Sequence, residues 1–287
     1  MTVCVAAIGG KEAVFGAADR MLTAGDVTFQ PDIAKIFPIS TSIFLMFSGD
    51  ASLNGELRQS VHSDAIAEFT RVPDKWLSVE FVKDLVVKNF NAIKSKRAEA
   101  ALLAPMGLSL ASFQQILALP QTSDLIQQIA RDLINYALPE VSCIVAGVDM
   151  TGPHLYSVHD GKYVCNDGVG FAAIGIGYWH AESELMAAKH CATADSSRTV
   201  SAVYAAKRRA EIAPSVGDVT DLVMVNRLGG YGPVREAVQI KLKELYDERI
   251  KSEERARAGI HEELNRWFDA ERDKPTPEQQ GESSAEE

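Results

Sequence analysis

The 287-residue chain lacks the features that announce a metal, a nucleotide or a membrane. Its four cysteines, Cys4, Cys143, Cys165 and Cys191, are scattered without CxxC or Cys/His ligand spacing. That excludes an obvious zinc site or disulfide framework and reads as buried free thiols of a cytosolic kind. No GxxxxGK[ST] occurs, so no phosphate-cradling loop is encoded. No apolar run reaches the ~18 residues of a membrane span, and no basic stretch precedes an apolar one at the N-terminus. Basic residues are scarce too: 29 Lys and Arg stand against 39 Asp and Glu, a net charge of -10 that disfavours a nucleic-acid surface. The expectation is a cytoplasmic protein with no cofactor, membrane or nucleic acid. A hydrophobic share of 46% supports a sizeable core in one large or two modest domains.

The chemistry concentrates in the first fifty residues. An apolar run from Val3 to Ile8 begins directly after Thr2, and a second, Val14 to Ala18, ends at Asp19. Gly9-Gly10-Lys11 between them predicts a hairpin. Lys35 opens a third run, and a fourth, Ile43 to Phe47, enters Ser48-Gly49-Asp50 ahead of a helical pattern. With Met1 removed, Thr2 would carry a hydroxyl nucleophile and a free α-amine of unperturbed pKa ~8 able to act as its base. A buried ammonium at Lys35 would depress that amine's pKa, and Asp19 would aim the ammonium. The Gly49 N–H, beside a helix N-terminus, would stabilise an oxyanion. Taken singly each residue has a plainer role: Asp19 a turn, Lys35 a surface lysine, Ser48-Gly49-Asp50 a helix cap. Cys4 falls mid-strand and reads as a packing thiol rather than a nucleophile.

The order Thr2, Asp19, Lys35, Gly49, on three strands and a strand-to-helix turn, resembles the proteasome β subunits and their HslV-type relatives, which are N-terminal-nucleophile (Ntn) hydrolases. The run 19–25, DRMLTAG, is similar to the family's Asp-x-x-x-Thr-Ala-Gly-like segment. Asp19, Lys35 and Gly49 share one register, displaced by a single extra residue in the hairpin. The resemblance implies an α+β fold, a four-layer αββα sandwich, with Thr2 as nucleophile, Asp19 its acidic partner, Lys35 the catalytic lysine and Gly49 the oxyanion-hole glycine. It further implies a threonine endopeptidase assembled as a ring or other homo-oligomer, acting on unfolded polypeptides, with a separate ATP-dependent unfoldase as partner. One turn departs from the family: a Gly-Ser-Gly serine near the nucleophile's amine is replaced in Gly175-Ile176-Gly177, where isoleucine offers no hydrogen bond.

Along the chain, helical spacing marks 51–70 and 78–96, with Arg71-Val72-Pro73-Asp74 as the turn between them. An apolar, helical stretch over about 98–139 reads as an insertion, its clearest helix at 124–138, suited to a subunit interface or a lid. From Val141, short apolar runs through Phe171 to Gly175 predict a second antiparallel sheet. Helices over 180–192 and 199–212 and a strand over 221–225 follow, and Asp218 and Thr220 stand as turn residues or as stand-ins supporting the threonine. The resulting division is a proteasome-like Ntn-hydrolase domain over 1–228, a long charged helix over 229–273 and a disordered acidic tail over 274–287. Two other functions remain open: a catalytically impaired assembly subunit, which Ile176 favours, and an Ntn amidase of small molecules.

Overall fold

Two strands with apolar residues on both faces occupy the centre. In the computed structural model, which describes residues 2–24, 27–31, 34–71, 76–119, 123–228 and 230–272, β1 (Val3–Gly9) and β2 (Ala13–Asp19) are buried along their whole length. They form the hairpin that Gly9-Gly10-Lys11 predicts, with Gly9 opposite Ala13. A small hairpin follows, β3 (Leu22–Ala24) with β4 (Val27–Phe29), then β5 (Ile36–Pro38) and β6 (Ile43–Gly49). Two helices, α1 (Ala51–Arg71) and α2 (Val79–Ala98), come next, the second capped by Ser78, whose hydroxyl accepts from the Phe81 N–H. The stretch 99–134 holds one π-helical and one 3-10 turn, α3 (Leu110–Leu117) and α4 (Asp124–Ile134). The second half supplies β7 (Val141–Val148), β8 (Pro153–His159), β9 (Lys162–Cys165), β10 (Phe171–Gly175), α5 (Tyr178–Ala187), α6 (Ser196–Ala210), β11 (Thr220–Asn226) and β12 (Gly230–Pro233).

These strands build two five-stranded antiparallel sheets in the orders β10-β1-β2-β11-β12 and β5-β6-β7-β8-β9. The sheets therefore do not divide at Val141 as the sequence order predicts. β10 crosses to lie against β1, and β5 and β6 join the later strands, because β1 and β6 are apolar on both faces and need a paired neighbour on each side. With seven α-helices among the described residues, the fold is mixed α+β.

Period-two alternation along β6 and β7 sorts the core. Phe44, Met46, Ile144 and Ala146 share one buried cluster with Cys4, Ala6, Ile8 and Val14 of the other sheet. Leu45, Phe47, Cys143 and Val145, one residue out of phase, pack instead with Leu53 and Leu57 of α1 and Val82, Val86 and Phe90 of α2. α6 packs on β1 and β2 and against α5.

The chain divides into two compact units, Met1–Val234 and Arg235–Glu287. Within the second, α7 (Glu236–Arg272) is a 37-residue helix, about 55 Å long at 1.5 Å per residue. Ion pairs at helical spacing, such as Lys243–Asp247 and Arg249–Glu253, run along it, and Trp267 and Phe268 are exposed near its end. No single helix among the described residues is long and apolar enough to cross a membrane. Met1, Gly25 of the DRMLTAG run, most of the turn over 71–74 and the tail over 274–287 lie outside the described residues.

Candidate active site

Pairing in the first sheet brings the site together. β1 starts at Val3, so Thr2 sits at the sheet's end, with Gly175 of β10 on one flank (Val3 pairs Gly175) and the end of β2 on the other (Cys4 pairs Ala18). β2 delivers Asp19 to that end, and Lys35 reaches it from the bend ahead of β5. Thr2, Asp19 and Lys35 are all buried, Asp19 completely.

Their side chains form one network. The Thr2 hydroxyl donates to Asp19 Oδ1 and accepts from Lys35 Nζ. Lys35 Nζ also donates to Asp19 Oδ1 at 3.0 Å and to the Met21 carbonyl at 2.5 Å, which fixes the ammonium from three directions. Asp19 in turn accepts the backbone N–H of Val3 (2.9 Å), Met21 (2.9 Å) and Gly217 (3.1 Å). A buried carboxylate is tolerated only with such donors and a cation. Behind it, Arg20 clasps Asp221 of β11 through Nε (3.0 Å) and Nη2 (2.6 Å), tying β2 to β11 where Asp19 leaves the sheet.

Two glycines shape the surroundings. Gly49 ends β6 at φ +101°, and a Cβ there would run into the Glu140 carbonyl oxygen. Gly175, at φ +88°, faces the Thr2 carbonyl in the same way. Left-handed backbone and the absence of space together require glycine at both. The next residue, Asp50, caps α1 by accepting the Leu53 N–H at 2.8 Å, so the cap reading and the placement of Gly49 beside a helix N-terminus hold together.

Two cavities meet here. One, about 260 Å³, is largely apolar, lined by Leu22, Ala34, Phe37, Phe47 and Ala51, with Arg58 stacked over the Phe37 ring at 4.5 Å. The other, about 700 Å³, is lined by Glu140, Ser142, His159, Ile176, Trp179 and Glu182 among others. Thr2, Ser48 and Gly49 line both. Burial holds the His159 imidazole below its usual range, and Ser142 Oγ lies 2.8 Å from its Nδ1. Burial likewise raises the Glu182 carboxyl above the usual carboxylate range.

All four expected residues, Thr2, Asp19, Lys35 and Gly49, line or complete this one place. Asp218 and Thr220 do not: Asp218 Oδ1 accepts from Gln30 Nε2 at 2.9 Å, and the Thr220 hydroxyl donates to the Asp218 carbonyl at 3.4 Å. The backbone N–H of Gly217 takes the supporting position instead. Lys207 holds that loop; fully buried on α6, its ammonium donates to Glu211 Oε1 (2.6 Å) and to the carbonyls of Gly217 (2.9 Å) and Asp218 (3.0 Å). Burial pulls its pKa below the usual lysine range, opposed by Glu211. The sequence carried a signal for it, since Lys207 continues the apolar stripe Val203, Ala206, Ala210 at helical spacing. Nor are all four cysteines buried as expected: Cys165 lies on the exposed edge strand β9 and Cys191 in the exposed turn after α5. Cys4 is buried beside the site, its thiol pushed up to about 12 by burial against the opposing pull of Lys35. No group of His, Cys, Asp or Glu suited to a metal occurs among the described residues. Neither a protein-family model nor a curated protein matches the chain.

Proposed function

We propose that the chain is a proteasome-like N-terminal threonine peptidase, a four-layer αββα Ntn hydrolase in which Thr2 is the nucleophile once Met1 is removed. The observation that carries the reading is the single buried network in which one hydroxyl, Thr2 Oγ1, is bonded to both Lys35 and Asp19 where two cavities and Gly49 meet. In the first step Thr2 Oγ attacks the peptide carbonyl and passes its proton to the Thr2 amine, whose pKa the Lys35 ammonium lowers by like-charge proximity. The Gly49 N–H takes the oxyanion. The protonated amine then gives its proton to the leaving nitrogen as the C–N bond breaks, leaving an ester on Thr2. A water, deprotonated by the same amine, hydrolyses that ester and restores the hydroxyl. Asp19 and its backbone donors keep Lys35 aimed throughout.

The chain's own copies, in a ring or other homo-oligomer, a separate ATP-dependent unfoldase and unfolded polypeptide substrates complete the proposal. Ile176 motivates the second reading, a catalytically impaired assembly subunit, because it contributes an exposed apolar side chain to the larger cavity where a hydroxyl would help the amine. One assay separates the two. Purified protein and its Thr2→Ala variant are given fluorogenic peptides with apolar residues before the reporter. Turnover by the former alone supports the peptidase; equal turnover, or none in folded oligomer with Met1 removed, overturns it.

A further inference from the structure

Resting on the peptidase reading, we infer that the larger cavity is a subsite for a cationic side chain, lysine or arginine, of the polypeptide substrate. It extends from Thr2 away from the apolar cavity and shares Thr2, Ser48 and Gly49 with it. A chain draped across Thr2 with an apolar residue in one cavity therefore presents a neighbouring residue to the other.

The charge balance of this cavity selects the occupant. Two carboxylates, Glu140 and Glu182, line about 700 Å³ of space, and no lysine or arginine among the described residues does. His159, held in its neutral form by burial, adds no positive charge at neutral pH. Asn166 donates through Nδ2 to Ser157 Oγ and to the Val164 carbonyl, which leaves its amide oxygen as an acceptor. Among the described residues the charged side chains lining this cavity, Glu140 and Glu182, are thus both acceptors.

Glu182 is the informative residue. Asp19, Asp221 and Glu211 nearby each have a cation, in Lys35, Arg20 and Lys207, whereas Glu140 and Glu182 are in no ion pair among the described residues. Glu182 is half-buried, its carboxyl raised by burial more than the nearby Ala173 backbone lowers it. A carboxylate removed from water without a partner carries a desolvation cost that an incoming cation relieves. The remaining walls suit the rest of such a side chain. Ile176 and Trp179 are exposed, and the Trp179 ring lies 4.7 Å from that of Tyr178, tilted by 34°, so methylenes of a lysine or arginine find an apolar surface and the charged head an aromatic face. In this account the isoleucine at 176 is part of the substrate surface.

The test uses the Thr2→Ala protein, which cannot turn over, and three peptides of identical apolar sequence that carry lysine, norleucine or glutamate within two residues of the scissile bond. Fluorescence anisotropy reads their binding. The expected order is lysine over norleucine by about tenfold, with glutamate weakest, and E182Q should shrink the lysine-to-norleucine ratio to about two. Equal affinity for all three peptides, or tighter binding of glutamate, overturns the subsite. So does an unchanged lysine-to-norleucine ratio in folded E182Q; should E182Q fail to fold, the ordering in the Thr2→Ala protein alone decides. Because binding is read without turnover, absence of peptidase activity in the unmodified protein would count against the proposed function and leave this result standing by itself.

Discussion

Lys35→Met removes the ammonium at the centre of the network while keeping an unbranched stem in its place. Asp19, with no exposure to solvent, would then be a buried carboxylate stripped of its cation. Breaking one side of a buried ion pair costs ~3–5 kcal/mol. The N–H groups of Val3, Met21 and Gly217 still point at the carboxylate, which places the expected loss near the lower end, about 3 kcal/mol. Adding Asp19→Asn removes the orphaned charge, so the double variant should be more stable than Lys35→Met by about 1 kcal/mol or more, a negative coupling that neither change gives alone. The assay is urea unfolding at neutral pH, comparing midpoints at constant slope. A loss below about 0.5 kcal/mol for Lys35→Met, or a double variant less stable than either single, would refute the reading of these residues as a buried, mutually dependent pair. Activity should vanish in all three proteins, so that recovered stability without recovered turnover separates the structural from the chemical role of Lys35.

Further expectations follow from the same geometry. Gly175→Ala forces a side chain against the Thr2 carbonyl at φ +88° and should reduce peptide turnover by at least tenfold while far-ultraviolet circular dichroism is retained; unchanged turnover would show that Thr2 tolerates displacement. Ellman's reagent should titrate two thiols rapidly in the folded protein, Cys165 and Cys191, with Cys4 and Cys143 reacting only on unfolding; a fast third thiol would contradict the burial of one of them. For Glu182 the folded pKa is raised, so its contribution favours the native state below the unfolded pKa of about 4.3 and is lost as pH rises through the folded value. E182Q should therefore gain stability relative to the unmodified protein at pH 7 and lose that advantage at about pH 4. The length of α7 and its exposed Trp267 and Phe268 suit association, so truncation after Arg235 should reduce the number of protomers per particle measured by light scattering; an unchanged number would reject that role.

The parts of the site legible in the sequence are those where a polar residue ends an apolar run. Asp19 closes β2 and Lys35 precedes β5, because the limits of an apolar run mark where a strand begins or ends and the polar residue there is the one delivered to the sheet's end. Gly49 was legible for a related reason: a glycine between a strand and a helix cap marks a backbone turn that a Cβ would block. What stayed hidden depends on partners far apart in the chain. That β10 leaves its neighbours to flank Thr2 is decided by the pairing of Val3 with Gly175, about which local pattern says nothing. The support that Gly217 gives Asp19 is a backbone N–H, which no side-chain pattern encodes, whereas what the pattern displays there is the polar side chains of Asp218 and Thr220. The polar wall of the larger cavity assembles Ser142 and His159 from adjacent strands with Glu182 from α5, a register effect rather than a motif.

The central claim is that the mature protein begins at Thr2 and acylates it. Intact-mass spectrometry of the purified protein, before and after brief exposure to a slowly hydrolysed apolar peptide ester, tests it in one measurement. The account predicts a chain lacking Met1 that gains one acyl group, mapped to Thr2 by peptide digestion and absent from Thr2→Ala. Retained Met1 in material that turns over peptides, or an acyl group mapped to any other residue, would contradict it.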